Sequence, residues 1–467
     1  MTNFKLTVPK TLNLLIYSFP LAFILGNFFI NILVFFFSVI GIIYYKKKPF
    51  VFDKYNPLSL ITIFFILIIF STVIEYLTNN IETNYLIKAF VFLRYLIFLI
   101  ILRYMILIGH LDLQKTLFFA LLFSSFVACD VIFQYFVGVD IFGNKPWGGH
   151  DEHRHFYPGV FGEEAVAGGY IQKFSIIGLF SLPLFLNKKN SKFIYTTFII
   201  LTICFFGTLL SNNRMPTIMF CFFLFALGLF LIFRKADLKK GILIFLSIFV
   251  IGWLISGIDA FKYRYKGLYA GIPNVSEIIE ELKNEHSEFK KYENTGTYFF
   301  HTETFRNNQD KIKILPHFTG HVQIYITSIE TFGKNILIGR GIRSFRRTCA
   351  ERIHVPNRTC SNHPHHFYLD ILNDVGILGF ISIFTGIFLL MIKNFKKFHG
   401  KNQTFRPIFL LTSYALFASL IIEFFPLRSH GSFFSVWNAS YIFFLLGIFC
   451  GLYDLKPKKS IKKIFNF

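Results

Sequence analysis

Residues 11–45 read TLNLLIYSFPLAFILGNFFINILVFFFSVIGIIYY and contain no charged side chain. A helix crosses a bilayer core with roughly 20 apolar residues. These 35 residues are too many for one crossing and enough for two. Gly26-Asn27 offers a turn, so the stretch divides into spans 11–27 and 28–45, and Lys46-Lys47-Lys48 ends the second. Similar runs recur at 58–77, 86–108, 116–137, 162–186, 193–210, 215–233, 241–258, 365–392, 407–425 and 433–452. The expected fold class is an all-α polytopic membrane protein with about twelve transmembrane helices.

Composition agrees. Of 467 residues, 54% are hydrophobic, 19% aromatic and only 16% charged. Mean hydropathy is +0.53. Such a chain is neither disordered nor collagen-like, and its composition argues against a soluble enzyme. The formal charge of +22 would suggest nucleic acid on a soluble protein. Here the basic residues sit between apolar runs, so no nucleic-acid partner is expected and membrane lipids are.

Placing both termini in the cytoplasm puts 25 Lys/Arg in the cytoplasmic segments. Only Lys145, Arg154, Arg214 and Arg428 fall in the short external loops. The imbalance supports that orientation. The expected organisation is helices 1–9 over 1–258, a large external (periplasmic) loop over 259–364, and helices 10–12 with a basic cytoplasmic tail over 365–467. Within the loop, EIIEELKNEHSEFKKYE (277–293) has the spacing of a surface helix. Cys129, Cys204, Cys221 and Cys450 lie in spans and are expected to pack. Cys349 and Cys360 share the external loop, where an oxidising compartment favours a disulfide over a metal pair.

Three spans start on the external side with polar clusters, where free N–H groups and the positive dipole end suit an anion. The tenth starts at SNHPHHFYLDILNDVGILG (361–379). Pro364 suits the first helical position, Ser361 or Asn362 could cap it, and His365 and His366 would fall in the first turn, with Tyr368 on the face of His365. A neutral His there can accept a proton from a hydroxyl. A hydrated interfacial cluster and a metal site including His363 are the other readings. The eighth starts at SNNRMPTIMF (211–220), where Arg214 is either a snorkelling residue or an anion clamp. The sixth follows HRHFYPGVFGEEAVAGGY (153–170). Glu163 and Glu164 are expected to cap its first turn, and Lys173 to pair with one of them. In the loop, ILIGRGIRSFRRTC (336–349) clusters Arg343, Arg346 and Arg347 behind a Gly-x-Gly turn. It is either a solvated basic face or a phosphate-attracting one.

Together these residues resemble the O-antigen ligase and O-antigen polymerase superfamily. The ligase pattern is His, then Asn, Ser or Gln, nine residues, Gly, two residues, and Gly, Thr or Tyr. His365, Gly376 and Gly379 keep that spacing, with His366 departing from the second position. The family's Arg, three residues, Leu is matched by Arg214, with Ile218 in place of Leu. Gly339, Gly341, Phe345, Arg346 and Cys349 look like the loop pattern before the His segment. Asp374 stands where an acidic residue often precedes the Gly. FGEEAVAGGY looks like the start of a span in these proteins.

The resemblance implies a GT-C-type membrane glycosyltransferase that needs no metal or other cofactor. The donor would be a glycan on undecaprenyl diphosphate. The acceptor would be lipid A–core or another glycan, at the periplasmic face of the bacterial inner membrane. Arg214, Arg343 and Arg346 would bind the diphosphate and His365 would be catalytic. His363, His366, Tyr368, Glu164 and Asp374 would support them. A polymerase on the same carrier is the alternative within the class. A secondary transporter is the alternative outside it, with Arg94 and Glu423 the nearest candidates for embedded charge.

Overall fold

The computed structural model describes residues 7–51, 56–147, 156–186, 191–233, 320–350, 360–399 and 407–455. The expected ninth span (241–258), the 277–293 helix and the basic tail from 456 lie outside these. Among the described residues the chain is helical and has no strand, only one isolated bridge between Trp147 and Phe156.

Helices α1 (Val8–Tyr17), α2 (Phe19–Ile24), α3 (Asn27–Tyr45), α4 (Pro57–Asn79), α5 (Thr83–Leu107) and α6 (Leu113–Val137) open the fold. After them come α7 (Ala167–Gly178), α8 (Ser181–Phe185), α9 (Ser191–Leu210) and α10 (Arg214–Phe233). The shorter α11 (Gly320–Phe332) and α12 (Ser344–Ala350) precede α13 (Phe367–His399), α14 (Pro407–Glu423) and α15 (Val436–Asp454). Among the described residues, seven helices are long and apolar enough to cross a membrane: α3, α4, α5, α6, α10, α13 and α15. Tyr195–Leu210 and Leu410–Glu423 are shorter apolar helices. The chain is a multi-pass helical membrane protein.

Two expected spans are broken. The first bends between α1 and α2, where Pro20 has no N–H to give the preceding turn. The sixth bends between α7 and α8, where Pro183 plays the same part. The expected tenth span is interrupted too. Within α13, Gly376 adopts φ 65° and ψ −169°, a conformation that L side chains rarely take.

α13 packs along α4, and α15 packs along α5. Aromatic rings fill the seams. Phe19 stacks on Phe444 (4.7 Å between centroids) and on Phe98 (5.7 Å), and Phe92 meets Phe65 and Phe434. Phe and Ile side chains are exposed on the outer face of α3, including Phe28, Phe35 and Ile43. Polar contacts lock the two ends. At one, Arg103 of α5 meets Asp454 at the end of α15 (2.5 Å), and Asn56 before α4 donates to the same carboxylate (2.7 Å). At the other, the end of α4, the starts of α7, α10 and α13 and the end of α14 converge around the candidate site.

Candidate active site

The break at Gly376 is where the site is built. Opening the helix there frees two carbonyls and two N–H groups, and segment 336–341 pairs with all four. Arg340 and Gly341 donate their N–H groups to Asn373 O and Asp374 O (both 2.9 Å). Ile377 and Leu378 donate to Ile336 O (2.9 Å) and Leu337 O (3.2 Å). A Cβ on Gly376 would lie 2.4 Å from the Leu337 carbonyl, and one on Gly339 would lie 2.5 Å from the Asp374 backbone. The Gly-x-Gly turn and the Gly of the His segment are therefore two halves of one joint.

Asp374 completes it. Its carboxylate accepts from the Arg343 N–H (2.5 Å) and from the N–H and hydroxyl of Ser344 (2.8 Å each). It thus caps α12, fully buried, and holds Arg343 in a left-handed conformation (φ 57°). Ser71 and Thr72 of α4 accept or donate at the same turn. Glu75, one helical turn on, takes Arg340 (2.8 Å) and Arg347 (2.8 Å). Arg347 therefore anchors α12, while Arg346 is exposed on it and Arg343 reaches towards Phe434 O (3.5 Å). Glu75 escapes sequence reading, although a single acid inside a long apolar helix is a signal for it. The Cys349–Cys360 disulfide, with Cα atoms 5.6 Å apart, ties α12 to the His segment.

His365 is not in the first helical turn. It has φ 55°, and α13 starts only after it, with Asp370 N–H donating to His366 O (2.9 Å). Pro364 and Ser361 are accordingly not at the first position and the cap. The left-handed residue turns the chain before the helix begins, and the Ser361 hydroxyl lies instead 3.3 Å from His365 Nε2. This folds the rings together. His363 lies 4.1 Å from His365 between centroids and His321, from α11, 5.1 Å. His366 donates through Nε2 to Pro426 O (2.6 Å) and packs against Tyr325 and Tyr368. His430 donates its backbone N–H to His365 O (2.9 Å) and stacks on Phe367 (3.8 Å). No short-range spacing marks His321 and His430, since each comes from a distant segment.

The cluster favours neutral imidazoles. Burial and the neighbouring His365 and His321 push the His363 pKa down to about 4. Burial and His321 lower that of His365, against a hydrogen bond to the His430 backbone that raises it. Burial also lowers His366, and it carries His430 well below its ordinary value, helped by Arg428, Lys173 and His366. Among the described residues, His363 Nε2, His366 Nδ1 and His430 Nε2 are buried with no hydrogen-bond partner, as is Arg214 Nε. Buried polar atoms left without partners are uncommon and mark a place where another polar group belongs. Among the described residues, no group of three His, Cys, Asp or Glu side chains is arranged to hold a metal ion.

Arg214 opens α10. Asn213 beside it accepts from Gly168 N–H (2.9 Å) and donates to Ala165 O (3.0 Å), joining the starts of α10 and α7. Among the described residues, Arg214 and His365 share no hydrogen bond. α10 meets the segment after α14 through Phe222 and Phe425 (5.4 Å), and His430 of that segment donates to His365 O. Glu163 and Glu164 do not cap α7: both are exposed in the turn before it, because the helix starts at Ala167 and Asn213 takes the free N–H. Lys173 pairs with neither. It points into the bundle and meets Glu423 of α14.

Residues 196–384 match the O-antigen ligase family. The matched stretch runs from α9 into α13 and contains Arg214, Arg343, Arg346 and His365. It supports membership of the O-antigen ligase superfamily, as the sequence resemblance implied. No curated protein matches the chain.

Proposed function

We propose that this chain, a member of the O-antigen ligase superfamily, moves a glycan from undecaprenyl diphosphate to an acceptor hydroxyl, with lipid A–core the acceptor. The observation that carries this reading is the group of imidazoles around His365, where burial favours the uncharged form and, among the described residues, one ring nitrogen each of His363, His366 and His430 is left unpartnered. In the reaction His365 takes the hydroxyl proton as the acceptor oxygen bonds to the anomeric carbon. The bond from that carbon to the diphosphate oxygen breaks, and the diphosphate leaves as an anion. Arg214, Arg346 and Arg343 bind that anion as its charge grows. His363, His366 and Tyr368 shape the pocket around His365, and Asp374 holds Arg343 in place. Glu164, exposed in the turn before α7, is assigned a supporting role.

The same reading gives the enzyme about twelve spans in a GT-C-type arrangement. Both termini lie in the cytoplasm of a bacterial cell, and 259–364 is the large periplasmic loop. The site opens at the periplasmic face of the inner membrane. No metal is needed where arginines supply the charge that Mg²⁺ supplies elsewhere.

The test is transfer in vitro by purified protein with an undecaprenyl-diphosphate glycan and lipid A–core, in EDTA. Wild type should transfer and His365→Ala should not. Transfer by both variants, His365→Ala and Arg214→Ala, would remove the mechanism. Elongation of the lipid-linked donor without transfer to lipid A–core would instead identify a polymerase on the same carrier.

A further inference from the structure

The segment that closes the histidine cluster is anchored by a buried charge group with no part in the reaction above. Between α14 and α15, residues 424–430 touch three site residues. Phe424 O accepts from the Tyr368 hydroxyl (2.5 Å), and Pro426 O accepts from His366 Nε2 (2.6 Å). His430 N–H donates to His365 O (2.9 Å).

Arg428 lies in the middle of this segment and turns inward. Its guanidinium donates to Ile422 O and to Glu423 Oε2, each at 3.2 Å. The other Glu423 oxygen takes the Lys173 ammonium from α7. That ammonium lies 4.6 Å from the centre of the Tyr441 ring, and the Tyr441 hydroxyl donates to Lys173 O (2.9 Å). The three charged side chains are 4%, 1% and 5% exposed.

Two cations thus share one carboxylate where desolvation is costly. Apolar side chains of the same volume would pack there at lower cost. What the ionic group adds is direction. It fixes the Arg428 side chain between α7 and α14, and with it the height of the 424–430 segment.

We propose that Arg428, clamped through Glu423 to Lys173, is a positioning residue that sets the orientation of His365. It works through the segment that holds His365, His366 and Tyr368. The proposal rests on His365 being the proton acceptor of the reaction above.

The test uses full-length protein in liposomes, with Arg428→Ala, Arg428→Lys and Glu423→Gln. Two quantities are read: steady-state kinetics with the lipid-linked glycan, and the rate of His365 carbethoxylation by diethyl pyrocarbonate, followed by peptide mass. Arg428→Ala should lower kcat about tenfold to a hundredfold, with KM for the donor within about twofold. It should change the His365 carbethoxylation rate by at least about threefold, and Arg428→Lys should recover part of the kcat. If Arg428→Ala does not fold, Glu423→Gln carries the same expectations without a change of shape.

Unchanged kcat and unchanged His365 reactivity overturn the proposal. A rise in KM with unchanged His365 reactivity also overturns it, since it places Arg428 in substrate binding. If wild type transfers no glycan, the assigned reaction fails. The carbethoxylation rates then still decide the positioning role.

Discussion

His365 sits in a conformation that few non-glycine residues adopt, and the surrounding contacts hold it there. Its working form on the proposed mechanism is the neutral imidazole, and its pKa lies below the ordinary 6.5. Acidification removes the lone pair, so the acid limb of kcat/KM should fall below pH 6.5. A pH–rate profile whose acid limb lies above that value would contradict the assignment. Arg214→Lys should cost about tenfold to a hundredfold in transfer, because a point charge cannot reproduce two parallel bonds to a phosphate. Wild-type rates in that variant would remove Arg214 from the diphosphate site. At this scale the sequence exposed the residues with short-range spacing: His363, His365, His366, and the Arg343 to Arg347 run. His321, His430 and Glu75 were hidden because three separate segments bring them in.

The α12–α13 joint depends on backbone groups that a side chain at Gly376 would displace. Gly376→Ala combines a left-handed φ with a 2.4 Å approach to Leu337. It should lower stability by about 1–3 kcal/mol and, by shifting Arg343, reduce transfer as well. Thermal unfolding in detergent, beside an activity assay, checks both. Glu75→Ala leaves the Arg340 and Arg347 side chains, 15% and 12% exposed, without their shared carboxylate. The expected loss is about 3–5 kcal/mol, again read from thermal unfolding. A melting temperature equal to wild type would mean that α12 does not lean on α4. Hydropathy marked where most helices lie, because uncharged runs of bilayer length are unambiguous. The interruption at Gly376 was not legible, since a glycine in an apolar run looks the same whether it packs a helix or opens it. The starts of α7 and α13 were misread for a related reason. The residues that satisfy their free N–H groups come from other parts of the chain, as Asn213 does for Gly168.

Across the whole molecule, the histidine cluster links stability to pH. A histidine with a folded-state pKa of about 4, such as His363, binds protons less readily when folded than when unfolded. His430 is shifted in the same direction. Their contribution is complete above the unfolded value near 6.5 and is lost as pH falls through that value towards 4. The melting temperature should therefore drop between pH 7 and pH 4.5, and the drop should be smaller in His363→Gln. A pH-independent melting temperature would mean that the cluster is solvated. Which helices pair, α13 with α4 and α15 with α5, was not readable from composition, because one apolar face resembles another. The disulfide and its closeness to the His segment were legible from compartment and spacing, and the helix α12 that it fastens there was not.

The joint at Gly376 also bears on how the chain is made. Peptide groups left bare in hydrocarbon cost several kcal/mol each, so the opened turn of α13 needs its partners at hand when it enters the bilayer. Those partners, residues 336–341, are translated before it, and α4, which grips them through Ser71 and Glu75, earlier still. Synthesis from the N-terminus thus delivers α4 before the 336–341 segment, and that segment before the helix that requires it. A circular permutant that places α13 ahead of residues 336–341 would present the break to lipid unaided, and its membrane insertion should fail even though every contact of the finished fold is still encoded.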